Sequence, residues 1–135
     1  MKSMTDQEVK DYIWNGVLDM YAGFISQDRE RIDQYIHKDV TLWDSTERNL
    51  AFGMKGLNEV RARRPKEDNG PKVTRIDAIE PVIDIYGDFA ICRHYLIVNF
   101  DQGQPPQEVR NTGIWRSFPE GWRIIHNHED ELPAK

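Results

Sequence analysis

Tyr86-Gly87-Asp88-Phe89-Ala90-Ile91-Cys92-Arg93-His94-Tyr95-Leu96-Ile97-Val98-Asn99-Phe100 is the stretch that decides the fold. Gly87-Asp88 is a tight-turn signal. Behind it the side chains alternate, with Ala90, Cys92, Leu96 and Val98 on one side and Phe89, Ile91, Tyr95 and Ile97 on the other. Both sides are apolar, so a helix is expected to cover one face and a second subunit the other. Strand-like sequence continues over Val73–Tyr86, Gln107–Phe118 and Gly121–Glu129. Pro119-Glu120-Gly121 marks another hairpin and Asp101–Pro106 a longer surface loop. Pro81 cannot donate to a ladder, which predicts a bulge or bend in the first of these strands.

Upstream the period changes. Val9, Ile13, Val17, Met20 and Phe24 recur every three or four residues behind Thr5 or Asp6 as cap, predicting a long helix. Tyr12, Trp14, Leu18, Tyr21 and Ile25 widen its apolar arc, so it should touch more than one surface or line a cavity. Asp28 caps a shorter helix over Arg29–Ile36. Val40-Thr41-Leu42-Trp43-Asp44 reads as a short strand, followed by an irregular excursion over Ser45–Lys55. A third helix runs from Leu57 to about Arg64 and stops at Pro65, and Lys66–Pro71 is a polar connector. Helices followed by an antiparallel meander give an α+β class, with the first helix laid across a curved sheet.

The 135 residues, with 18 Lys+Arg against 23 Asp+Glu, suit one domain over 1–135 and exclude two packed domains. A formal charge of −5 offers no basic field for phosphates, which disfavours nucleic acid and anionic membrane as partners. The single Cys92 cannot form an internal disulfide, and neither a leader pattern nor a run of 18 apolar residues is present. A soluble, reduced, cytoplasmic protein is expected.

The candidate chemistry is carried by a few polar residues. Trp122, Ile124, His126 and His128 are spaced by two and are expected to share one inward face. Three readings of the histidines stand side by side: core or interface residues satisfied by neighbours, ligand-binding or acid-base groups, or metal ligands with Asp44, Glu129 or Asp130 as a third donor. Asp44 shares parity with Val40 and Leu42, so it is expected inward at a strand end. Burial there would raise its pKa and suit it to remove a proton beside a carbonyl; the plainer reading of Asp before Ser-Thr is a turn residue. Arg93, between Ile91 and Tyr95, asks for an anion, either a carboxylate ligand or an internal Asp or Glu. Arg110 and Arg116 suit a solvated row equally well. Trp14, Tyr21, Trp43 and Trp115 are apolar walls, of a core or of a pocket.

The order of elements resembles the nuclear-transport-factor-2-like superfamily, the cone-shaped α+β fold of SnoaL-like cyclases, ketosteroid isomerase and scytalone dehydratase. Within it the chain is most similar to the association (hub) domain of calcium/calmodulin-dependent kinase. The resemblance is carried by Asp39–Asp44, Gly53–Gly56, Tyr86–Ala90, Thr112–Trp115 and Gly121–His128. It implies a pocket between the long helix and the sheet, and a homodimer, or a higher homo-oligomer, formed through the sheet. Asp44 matches the proton-shuttling aspartate of the isomerase branch. The branch's oxyanion-stabilising tyrosine falls at Met20, with Tyr21 one residue and about 100° away around the helix. The expectation is therefore a small-molecule-binding protein for a carbonyl- or carboxylate-bearing ligand. As an enzyme it would be a cofactor-independent isomerase, dehydratase or cyclase with Asp44 or His126 as base and His128, Tyr95 or Arg93 stabilising negative charge; Trp14, Tyr21, Trp43 and Arg110 complete the expected ligand-binding set. A non-catalytic hub or ligand-sensing module is the alternative.

Overall fold

The computed structural model describes residues 4–64 and 70–133. In chain order it contains α1 (Asp6–Ser26), α2 (Arg29–Asp33), β1 (Ile36–Trp43), β2 (Ala51–Phe52), α3 (Gly53–Arg63), β3 (Val73–Tyr86), β4 (Phe89–Phe100), β5 (Gln107–Phe118) and β6 (Gly121–Glu131). Pro65 and most of the connector read over Lys66–Pro71 lie outside the described residues.

Local chemistry sets the element ends. The Thr5 hydroxyl accepts from the Glu8 N–H while the Glu8 carboxylate accepts from the Thr5 N–H, a reciprocal cap that opens α1. Asp28 accepts from the Arg31 N–H and opens α2. Gly87 has φ 65° in the β3–β4 turn, a conformation open to glycine at little cost. Between Ile79 and Val82 the β3–β4 register shifts at Pro81, where the ladder lacks its N–H.

The sheet order is β2-β1-β6-β5-β4-β3. Strands β3 to β6 form the antiparallel meander expected from their hairpins. β1 then joins the far side of β6 in parallel, so the six-stranded sheet is mixed rather than wholly antiparallel. The helices pack on one face, which we term the inner face. At one end of the cone Ile13, Val17 and Val9 of α1 meet Val40, Ala90, Cys92, Trp115, Trp122 and Ile124 in the main core. Gly16 allows the close approach: a Cβ there would lie 3.2 Å from both Trp115 and Tyr35. α3 packs against β1 and β2, with Leu57 and Val60 buried on Leu42 and Ala51.

Candidate functional site

Beyond that apolar end the inner face turns polar. His94 on β4 stands opposite Asn111 on β5, which stands opposite Glu129 on β6. With neighbouring strands about 4.8 Å apart, the three form one row across the sheet. Asp44 follows Trp43, the partner of His128 across β1 and β6, and so extends the row beside Glu129.

Each member of the row has a defined partner. The Tyr21 hydroxyl on α1 and His94 Nε2 share a hydrogen bond of 2.8 Å. Trp14 and Tyr21 stand T-shaped to the imidazole at centroid distances of 5.5 and 5.7 Å. His94 is only 6% exposed, and its Nδ1 is buried with no partner among the described residues. Burial pushes its pKa down to about 4, so the ring is neutral at physiological pH. Burial also raises Tyr21 well above the usual phenol value, with the Glu129 charge adding to the effect.

Asn111 donates to Glu129 Oε1 at 3.1 Å. Burial raises the Glu129 pKa and the Asp44 charge raises it further, against Arg64 and the Asn111 bond. Asp44 moves the other way. Its burial favours a rise, but the Thr46 hydroxyl at 2.5 Å, the Thr46 N–H at 3.1 Å and Arg64 at 3.2 Å hold the carboxyl below its ordinary value. The inward position expected for Asp44 is what the structure has; the raised pKa is not. The turn role of an Asp before Ser-Thr accounts for the difference. Two neighbouring carboxyls pushed in opposite directions give one group suited to hold charge and one suited to exchange a proton.

A cleft of about 310 Å³ opens between α1 and β3, lined by Leu18, Tyr21, Ala22 and Ile25 on one side and Thr74, Arg75 and Ile76 on the other. Tyr21 joins this cleft to the polar row. The widened apolar arc of α1 thus serves two surfaces, with Leu18 and Ile25 more than 40% exposed at the cleft while Ile13 and Val17 are buried. A larger groove of about 510 Å³ runs between the Glu47–Phe52 segment and α3. The smaller cleft contains Tyr21, the hydrogen-bond partner of the buried His94, and is therefore the candidate site.

The two C-terminal histidines are a correction. Trp115 pairs with Ile124 but Ile114 pairs with His126, leaving Ile125 without a partner in β5. This bulge reverses the alternation, because one extra residue moves every later side chain to the opposite face. Trp122 and Ile124 remain inward, His126 and His128 turn outward, and Asn127 and Glu129 take the inner positions. His126 Nδ1 shares a hydrogen bond of 2.8 Å with the Thr41 hydroxyl. Burial, with His128 nearby, holds its pKa below the usual imidazole value. His128 lies opposite Trp43 and is exposed.

The other outward residues follow the same parity. Arg93, Tyr95 and Arg110 lie on the outer face, where Arg93 pairs with Asp84 and Arg110 with Asp130 rather than with Asp44. Trp43 and Tyr95 are 40% and 43% exposed there. Of the expected site residues the structure therefore gathers Trp14, Tyr21 and Asp44 at the cone and Trp43, Arg93, Tyr95, Arg110, His126 and His128 on the opposite surface. His94 and Asn111 are absent from the expected set, and Glu129 enters it only as a possible third metal donor. His94 was accessible from the sequence, since it shares parity with Ala90, Cys92 and Leu96. Among the described residues no group of three or more His, Cys, Asp or Glu side chains converges as a metal site would, and no helix among them is long and apolar enough to cross a membrane.

The model of the SnoaL-like domain matches residues 15–131. No functionally curated protein matches the chain. Similar solved structures include a protein of unknown function with a cystatin-like fold from Nostoc punctiforme, 17% identical over 98% of this chain and 97% of that one, with a TM-score of 0.78. The CaMKII hub of S. rosetta is 20% identical over 89% of this chain and 94% of that one, with a TM-score of 0.72. A candidate ketosteroid isomerase from Parabacteroides distasonis is 17% identical over 98% and 95% of the respective chains, with a TM-score of 0.75. At these identities the likeness is one of fold.

Proposed function

The chain belongs to the SnoaL-like domain family, and from that premise we propose that it binds a small carbonyl-bearing molecule in its cone and moves a proton on it without a cofactor. The observation that carries this reading is the row His94, Asn111 and Glu129, which the Tyr21 hydroxyl links through His94 to the α1–β3 cleft. Glu129 is the group that takes and returns the proton, its basicity increased by burial and by Asp44. Asp44 acts through Arg64 and through its fixed charge rather than as the base. The Tyr21 hydroxyl is the donor to an oxygen that gains negative charge, and neutral His94 positions it. If His94 donates from Nε2 to the Tyr21 oxygen, the phenol proton is free to reach a ligand. Trp14 supplies an apolar wall beside the pair.

The outer face supports a second role alongside the first. Trp43, Phe52, Val82, Tyr86 and Tyr95 are all at least 40% exposed on it, and Arg93, Arg110 and Arg116 are matched by Asp84, Asp130 and Asp88. A charge-balanced, partly apolar sheet face suits a second copy of the chain. Its likeness in fold to hub domains favours homo-oligomerisation, with a non-catalytic hub as the form this reading takes if the cone turns nothing over.

The test is a metabolite screen for turnover, repeated with Glu129→Gln, Tyr21→Phe and His126→Ala. We expect the first to reduce kcat by at least about a hundredfold, as loss of a general base does, and His126→Ala to leave the rate within about twofold of the wild-type value. Turnover that survives Glu129→Gln and is lost in His126→Ala would place the chemistry on the outer face instead.

A further inference from the structure

We infer that the groove between the Glu47–Phe52 segment and α3 is a second ligand site, separate from the cone, and that it takes a small hydroxylated anion of single charge, such as a sugar acid.

The chain itself holds the two walls in place. Gly56 lets α3 lie against β2, since a Cβ there would meet the Ala51 backbone at 3.2 Å. Arg63, in the last turn of α3, is ion-paired with Glu47 of the facing segment. The space between them, about 510 Å³, is of the size that small molecules fill.

Its charges are unevenly matched. Arg48, Lys55 and Arg63 line the groove against Glu47 and Glu59, a net charge of +1 in a chain that carries −5. Arg63 is taken by Glu47, and the charge of Glu59 also acts on it. Elsewhere the arginines are committed: Arg31 to Asp19, Arg61 to Asp33, Arg64 to Asp44, Arg93 to Asp84 and Arg110 to Asp130. Arg48 and Lys55 have no ion-pair partner among the described residues, and they share one concavity.

Repulsion from the acidic chain as a whole is screened beyond about 10 Å at ordinary salt, so the groove's own charges decide what binds. The Arg48 guanidinium offers a planar fork and the Lys55 ammonium a point charge to an anionic group. A doubly charged phosphate ester would exceed the net charge of the lining and be repelled by Glu59, whereas one carboxylate matches it. Asn49 and Glu59 line the same space without a hydrogen bond among the described residues. Both can accept from hydroxyl groups, which selects a hydroxylated ligand over a plain fatty acid.

Gluconate, glucose 6-phosphate and glucose carry similar hydroxyl groups and differ in charge. Each would be titrated into the wild-type protein at about pH 7.5, where the phosphate ester is close to doubly charged. Affinity would be read from the backbone amide NMR shifts of Asn49 and Gly56. Gluconate is expected to bind at least about tenfold more tightly than glucose and at least about threefold more tightly than glucose 6-phosphate. Arg48→Gln combined with Lys55→Gln alters two exposed side chains and is expected to weaken gluconate at least about tenfold. Lys72→Gln, at an exposed lysine outside the groove, should change it by less than about twofold. Glucose 6-phosphate binding as tightly as gluconate would overturn the single-charge class. Gluconate shifts at Tyr21 and His94 in place of Asn49 and Gly56 would move the anion to the cone and overturn the groove as its site. An affinity unchanged in the double variant, or no binding of gluconate to the wild-type protein, would overturn the proposal while leaving the reading of the cone intact.

Discussion

The two faces of one sheet have been put to different uses. The inner face holds Trp115, His94, Asn111 and Ile124, each no more than 7% exposed, and among the described residues His94 Nδ1 is its one buried side-chain polar atom without a hydrogen-bond partner. The outer face holds residues of similar type, Trp43, His126, His128 and Arg110, exposed or half-buried, with Arg110 paired to Asp130 across the strands. Residue type alone does not separate these faces. Parity does, and for His126 and His128 it is set by the bulge at Ile125.

The contrast is sharpest for the tryptophans. Trp115 is 1% exposed and packs on Tyr35 and the α1 helix at Gly16, whereas Trp43 is 40% exposed. Trp115→Ala is expected to cost about 3–5 kcal/mol in urea denaturation, and Trp43→Ala less than about 1 kcal/mol in the monomer. Trp43→Ala should instead lower the native mass measured by light scattering if the outer face joins two copies. Equal destabilisation by the two substitutions would break the comparison.

Histidine gives the next effect in size. His94 takes up a proton at 6.5 in the unfolded chain and only at about 4 in the fold. Between those values the unfolded state binds more protons, so stability is at its full level above pH 6.5 and falls as the pH drops towards 4, by about 3 kcal/mol. Urea midpoints measured across this window for the wild-type protein and His94→Asn should show the slope in the first and a much flatter curve in the second. A slope that persists in His94→Asn and vanishes in His126→Ala would assign the acid response to the outer face.

These contrasts also explain what could be read from the chain beforehand. The helix caps, the hairpin at Gly87, the bend at Pro81 and the order of elements are local signals, and each stands where the sequence puts it. The parallel pairing of β1 with β6 is not local: more than 70 residues separate Trp43 from Gly121, and no turn residue announces it. Ile125 carries no mark of a bulge, being an ordinary β-branched strand residue without glycine or proline beside it. From Trp122 onward simple alternation therefore carries His126 and His128 inward and Glu129 outward, the reverse of their positions. Asp44 was legible in place but not in protonation, because the bonds from Thr46 and Arg64 depend on how the chain returns after β1.

The most direct measurement follows all the histidine ring resonances by NMR while acetophenone is added to the wild-type protein. With the cone as the ligand site, His94 should shift in proportion to occupancy while His126 and His128 stay fixed. Shifts confined to His126 and His128 would contradict it and move the site to the outer face.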